Sequence, residues 1–275
     1  MTFDQAGRLW ITEATFTGFT TTAVGAHRVR ILDLDQVVRT VAGSAEPGLA
    51  DGPGASARFS GPHKVALDHL GNAFVVDEAN HRIRKIDPAG VVSTFAGSQA
   101  GFRDGVGGNA LFNTPIWIVS DSADNLYVAD FENLCIRKIT PAGVATTYAG
   151  RVRGGQDGPL ATATFDSPNG LAFGPDGSLF VSDWNNGKIR QIKNGAVTTF
   201  ASGPAYIDGV NTDDQGNVYA AFNGAHYLAK YSRASKLLWT IPTGQGFADG
   251  PIAAAQFSSA VGGAFACAGL ESARL

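Results

Sequence analysis

Short runs in which apolar and polar positions alternate recur four at a time along this chain, separated by Gly, Asn, Asp or Pro. Alternation with period 2 places successive side chains on opposite faces of an extended segment, so each run predicts a half-buried β-strand. One set of four predicts strands over His63–Leu67, Ala73–Asp77, Arg82–Ile86 and Val91–Ala96; the next predicts Ile116–Ser120, Leu126–Asp130, Ile136–Ile139 and Val144–Ala149. A third predicts Asn169–Phe173, Leu179–Asp183, Ile189–Ile192 and Val197–Ala201. The first set is Leu9–Glu13, His27–Leu34 and Val37–Ala42 after a stub at 1–3, and the fifth is Asp208–Thr212, Val218–Phe222, His226–Tyr231 and Leu237–Ile241. No helical period interrupts them.

The sets are copies of one another. Asp51-Gly-Pro-Gly-Ala-Ser-Ala-Arg-Phe59, Asp104-Gly-Val-Gly-Gly-Asn-Ala-Leu-Phe112 and Asp157-Gly-Pro-Leu-Ala-Thr-Ala-Thr-Phe165 are spaced by 53 residues, and Asp249-Gly-Pro-Ile-Ala-Ala-Ala-Gln-Phe257 follows after one full and one 39-residue repeat. Four-stranded antiparallel units that cannot bury both faces alone stack on their neighbours, and a radial arrangement leaves only short edges exposed. The expectation is therefore an all-β chain, a β-propeller forming a single domain over 1–275. Five blades are favoured and six remain open. Ser258–Phe265, another copy of a first strand, is expected to complete the first blade and close the ring.

Particular segments resemble the NHL repeat family: Leu126-Tyr-Val-Ala-Asp130, Asn80-His-Arg-Ile-Arg-Lys-Ile86 and Val91-Val-Ser-Thr-Phe-Ala-Gly97 are close to its consensus. The resemblance implies a propeller whose first strands line the central axis.

Comparing the repeats with each other separates scaffold from site. Arg84, Arg137 and Arg190 recur, as do Asp77, Asp130 and Asp183, and they are expected to pair or to cap turns within each blade. Phe59, Phe112, Phe165 and Phe257 read as wedges between sheets, and the Asp-Gly pairs as turns. The position that changes is the start of the first strand: His63, Ile116, Asn169, Asp208 and Val261. Strand direction places these residues on one face, so His63, Asn169 and Asp208 are expected around one mouth of the axis. An imidazole, an amide oxygen and a carboxylate are donors for a divalent cation, calcium or zinc. The alternative is three polar residues lining a wet channel.

Two further resemblances bear on this set. Ser167-Pro-Asn-Gly-Leu-Ala-Phe-Gly-Pro-Asp-Gly177 and Ile207-Asp-Gly-Val210 look like gluconolactonase segments carrying a metal-binding Asn and Asp, which fall on Asn169 and Asp208; Pro62-His63 is similar to a metal-binding His context in peptidyl-hydroxyglycine amidating lyases. Ile116 and Val261 offer no ligand. Glu13, at a second-strand end, is a candidate for reaching the same mouth. An 11-residue insertion within 14–26, with Phe16 and Phe19, reads either as the cover of a pocket or as a plain surface loop, and Trp117, Trp184 and Tyr206 either as aromatic walls of that pocket or as packing residues.

Composition narrows the partners. With 44% hydrophobic and 16% charged residues, 35 glycines and a net charge of −3, the chain reads as a packed, turn-rich globular protein with no basic field for nucleic acid. Two distant cysteines suggest neither a disulfide framework nor a thiolate zinc site. There is no apolar run long enough to span a membrane and no signal peptide in the chain as given, so a cytoplasmic monomer is the expectation. Two functions follow: a scaffold binding a small molecule, protein or peptide at the mouth, or a metal-dependent, lactonase-like hydrolase or lyase.

Overall fold

The computed structural model describes residues 1–14 and 26–242. The insertion with Phe16 and Phe19, the fourth Asp-Gly segment with Phe257, and the expected closing strand with Val261 lie outside the described residues, as does any sixth blade. Two compact units are present, Met1–Thr147 and Tyr148–Leu275.

Five antiparallel sheets make up the described chain. The first holds β1 (Thr2–Phe3), β2 (Leu9–Ala14), β3 (His27–Leu32) and β4 (Val38–Ser44). The second holds β5 (Gly52–Pro53), β6 (Pro62–Leu67), β7 (Ala73–Asp77), β8 (Arg82–Ile86) and β9 (Val91–Ala96). The third holds β10 (Gly105–Val106), β11 (Pro115–Ser120), β12 (Leu126–Asp130), β13 (Cys135–Ile139) and β14 (Val144–Gly150). In the second unit, the fourth sheet holds β15 (Gly158–Pro159), β16 (Pro168–Phe173), β17 (Leu179–Asp183), β18 (Lys188–Lys193) and β19 (Ala196–Ser202). The fifth holds β20 (Ile207–Thr212), β21 (Val218–Phe222), β22 (Tyr227–Tyr231) and β23 (Leu237–Pro242). No helix among the described residues is long and apolar enough to cross a membrane.

One expectation is corrected. The Asp-Gly segments are not only turns: β5, β10 and β15 each add a two-residue fifth strand outside β9, β14 and β19. Each such strap blunts an edge that would otherwise present unpaired backbone groups.

The strap is held by the recurrent arginine, which pairs as expected and does more besides. Arg137 Nη1 donates to Asp130 Oδ2 and to the Leu111 carbonyl, both at 2.9 Å; Nη2 donates to Asp104 Oδ1 at 2.7 Å and to the Arg103 carbonyl at 2.9 Å. Arg190 repeats this with Asp183, Asp157 and the Thr164 and Gln156 carbonyls, and Arg84 with Asp77, Asp51 and the Arg58 and Ala50 carbonyls. All three arginine side chains are fully buried. A guanidinium out of water is tolerated because two carboxylates and two carbonyls replace its hydration, and its planar face adds a cation–π contact. Its carbon lies 5.1, 4.9 and 5.1 Å from the rings of Phe59, Phe112 and Phe165.

Packing between sheets uses the other alternate residues. Phe59 sits with Trp10, Val29, Ala42, Val65 and Val75 between the first and second sheets, and Phe112 with Phe74, Val76, Ile118 and Val128 between the second and third. In the second unit Ile189, Ile207, Val210, Val218 and Phe222 form the equivalent core.

Candidate functional site

In the second to fifth sheets the first long strand enters through an irregularity. The residue just before it has a left-handed backbone in every case: Gly61 (φ 68°), Thr114 (φ 52°), Ser167 (φ 62°) and Tyr206 (φ 68°). For a β-branched Thr this conformation is strained, and strain of this kind persists where the surroundings enforce it. Pairing with the second strand then breaks register between Pro62 and Val65, Pro115 and Trp117, Pro168 and Leu171, and Ile207 and Gly209. Proline is accommodated there because the bulge asks for no ladder N–H. His63, Ile116, Asn169 and Asp208 all fall inside this bulge, where a side chain is released from the regular in–out alternation and re-aimed.

In the second unit the structure brings two of the expected residues together. β16 and β20 approach so closely that a Cβ added at Gly170 would lie 2.9 Å from the Gly209 Cα. Asn169 and Asp208, each one residue before those glycines, are therefore neighbours, only 6% and 7% exposed. Asn169 Oδ1 and Asp208 Oδ2 are buried without a hydrogen-bond partner. Burial pushes the Asp208 carboxyl up to about 7, against a smaller opposing effect from the Asn223 side chain, which bonds to it. Ser182 Oγ accepts from the Gly170 N–H at 2.6 Å, bracing the bulge. Beside this pair, Trp184 and Tyr206 meet edge to face with centroids 5.5 Å apart, and the Tyr206 N–H donates to the Trp184 carbonyl at 2.6 Å. Tyr206 remains half exposed.

In the first unit His63 has different company. Its imidazole is held down to about 4 by burial and by the adjacent Lys64, so it is neutral at pH 7, and it bonds to the backbone of Ile116. Trp117 is buried 6.4 Å from the His63 ring, with Lys64 Nζ 4.4 Å from its ring centroid and its own Nε1 unpartnered. Burial lowers Lys64 to about 8. Glu13 is engaged by Arg30, whose Nη1 donates to Oε1 at 2.8 Å. Register explains this: Arg30 faces Ile11 as Arg84 faces Val75, which makes Glu13 the first sheet's copy of Asp77.

Glu78 was missed by the sequence reasoning. It follows β7 directly, its Oε2 is buried without a partner, and burial pushes its carboxyl up to about 7. Phe131 and Trp184 occupy the same repeat position, and that alignment was the available signal. No three His, Cys, Asp or Glu side chains among the described residues converge as a metal-binding cluster.

Known proteins place this architecture. The NHL repeat family model matches residues 59–86 and 165–192, so the chain carries NHL repeats. NHL repeat-containing protein 2 of Homo sapiens is 30% identical over 175 residues, covering 56% of this chain and 24% of that protein. The chain thus spans about a quarter of that relative's length. Among solved structures, a streptogramin B lyase superimposes with a TM-score of 0.62 at 16% identity, covering 87% of this chain and 66% of the other. A gluconolactonase from Xanthomonas campestris gives 0.55 at 21% identity, covering 78% and 69%. At these identities the likeness shows the fold: the five sheets are blades of a β-propeller.

Proposed function

We propose that this NHL-repeat propeller chain is a binding scaffold that takes a ligand or partner through the residues released on its first-strand bulges, Asn169 and Asp208 foremost. The observation that carries the reading is the pair of buried, unpartnered acceptor oxygens, Asn169 Oδ1 and Asp208 Oδ2. Buried polar atoms are nearly always satisfied, and an orphan acceptor is disfavoured by about 1–3 kcal/mol. Two such acceptors on adjoining first-strand bulges call for a donor-rich or cationic group. Trp184 and Tyr206 offer that group an apolar flank, and a small molecule or an extended peptide side chain fits the description equally.

A second reading is favoured by the same two atoms. An amide oxygen and a carboxylate oxygen are hard donors of the type that holds calcium, and with an imidazole zinc. A gluconolactonase among the structural relatives makes a metal-dependent, lactonase-like hydrolase or lyase the alternative function. Under that reading Asn169 and Asp208 supply the first ligands, and a bound cation would supply Lewis acidity.

The test titrates the full chain with calcium chloride, zinc chloride and a fragment library of amines and polyols, read by ligand-observed NMR and calorimetry. Binding lost in Asp208→Asn and weakened in Asn169→Ala, but retained in Arg39→Ala on the exposed surface, supports the scaffold; binding indifferent to Asp208 and Asn169 overturns it. Stoichiometric metal with lactone turnover favours the second reading.

A further inference from the structure

The first unit holds a cavity of about 510 Å³ at the ends of the first strands opposite the bulges. β6 and β11 reach it with their last residues, Leu67 and Ser120, and Ser120 Oγ donates to the Leu67 carbonyl at 2.7 Å. Its rim is made by the tight turns that lead into the second strands, 4–8, 68–72 and 121–125. A hollow of this size holds a small molecule.

The same turn recurs in five repeats, and two of its copies depart from the common form at this cavity. In three copies an Asn closes the turn: Asn72, Asn125 and Asn217 Nδ2 donate to Asp68, Asp121 and Asp213 at 2.6, 2.9 and 2.7 Å. Arg8 stands in that place in the first sheet. Its Nε makes the equivalent bond, 2.7 Å to Asp4 Oδ2, and the longer side chain, 43% exposed, lines the cavity. The left-handed position of the turn is Gly in four copies, Gly7, Gly71, Gly177 and Gly216, but Asp124 in the third sheet, at φ 59°. A side chain is disfavoured there, though less for Asp than for most residues. Asp124 uses its side chain as a clamp across to the neighbouring turn: Oδ1 accepts from the His69 backbone N–H at 3.1 Å and from His69 Nδ1 at 2.7 Å. A carboxylate only accepts, so Nδ1 is the donor, and Nε2 is the acceptor of the neutral ring. Two departures in different turns thus bring a guanidinium and an oriented imidazole to one cavity.

We propose that this cavity binds a neutral saccharide. Its lining mixes donors with acceptors: Arg8 only donates, His69 Nε2 accepts, and Gln5 and Ser122 do both. Sugar hydroxyls, which donate and accept at once, match such a set. Charge argues against an ion. Asp4, Asp68 and Asp121 stand beside one guanidinium, which disfavours an anion, and each carboxylate is already bonded within its own turn, which leaves it little to offer a cation. Phe3, 45% exposed, and Trp10 supply apolar surface for the C–H face of a sugar ring. The cavity shares no residue with the bulges.

The experiment is saturation-transfer NMR on the full chain with D-glucose, D-galactose, maltose and lactose, beside D-gluconate and D-glucosamine as anionic and cationic counterparts. Two substitutions install the residue that the sibling turns use, so the fold stands: Arg8→Asn removes the guanidinium and Asp124→Gly releases His69. Each should weaken binding of a neutral sugar by about tenfold with the melting temperature unchanged. Asp208→Asn should bind the sugar as the parent does. No transfer to any neutral sugar, transfer indifferent to Arg8→Asn or to Asp124→Gly, or stronger transfer to gluconate or glucosamine each overturns the assignment. Transfer lost in Asp208→Asn would seat the sugar at the bulges and overturn it as well.

Discussion

The fourth and fifth sheets of the second unit make an instructive pair. The fourth, from a 53-residue repeat, carries a strap and a fully buried Arg190 bonded to Asp183, Asp157 and two carbonyls. The fifth, from the 39-residue repeat, has no strap among the described residues, and in the same places it has Ala229 and Phe222, with Phe222 stacked on Tyr227 at 4.5 Å. The buried arginine is present where two carboxylates and a carbonyl cage surround it and absent where the strap that brings half of them is absent. That is the behaviour of a scaffold element, since an uncompensated buried charge is far less tolerable than none. The start of the first strand behaves otherwise. Asn169 and Asp208 stay polar in both sheets, each left with an unpartnered oxygen. Between the two sheets the scaffold residues differ, whereas both bulges carry a polar residue.

The largest effect that would break this comparison is in the cage. Arg190→Met leaves Asp183 and Asp157 without their counter-charge and should destabilise the protein by about 3–5 kcal/mol in denaturant unfolding; placing the charge in the other sheet, by Ala229→Arg, should be comparably harmful. A loss under 1 kcal/mol in both would mean that the cage is not what holds the fourth sheet. Next is Gly170→Ala, whose methyl would meet the Gly209 backbone at 2.9 Å. Overpacking there should lower stability by about 1–3 kcal/mol and separate Asn169 from Asp208. A neutral result would show that the two strands part easily.

Asp208→Asn carries the opposite sign. Its folded-state carboxyl titrates near 7, above the unfolded value of 3.8, so the folded state holds more protons between those limits and the group's contribution to stability falls as pH rises through that window. Removing the charge should therefore stabilise the protein at pH 8, by about 1–3 kcal/mol, with the gain fading toward pH 4. Glu78→Gln should follow the same direction for the same reason. Smallest is Thr114→Gly, which relieves a left-handed β-branched residue and should raise stability by about 1 kcal/mol, read as a shift in the urea midpoint.

Much of this was legible in the residues themselves. Alternation located the strands of the 53-residue repeats to within a residue or two of β6–β9, β11–β14 and β16–β19, because a sheet with buried faces writes its period directly into composition. Repetition likewise marked Arg84, Arg137 and Arg190 as structural. The straps were read as turns because two residues carry no period, and their partners lie some 40 residues downstream. The equivalence of Glu13 to Asp77 is hidden in the sequence by the insertion that follows Glu13 and shows only in the register. The bulge was invisible for a simpler reason: register is a property of two strands, and neither records it alone. Yet that bulge is what turns Asn169 and Asp208 from strand residues into neighbours with free oxygens.

The repeat-specific bulge residues are held against stability rather than for it. Thermal unfolding of Asp208→Asn beside the parent chain at pH 8 tests this without knowledge of any ligand. The predicted result is a higher melting temperature for the variant; a drop approaching that of Arg190→Met would make Asp208 one more part of the scaffold and contradict the claim.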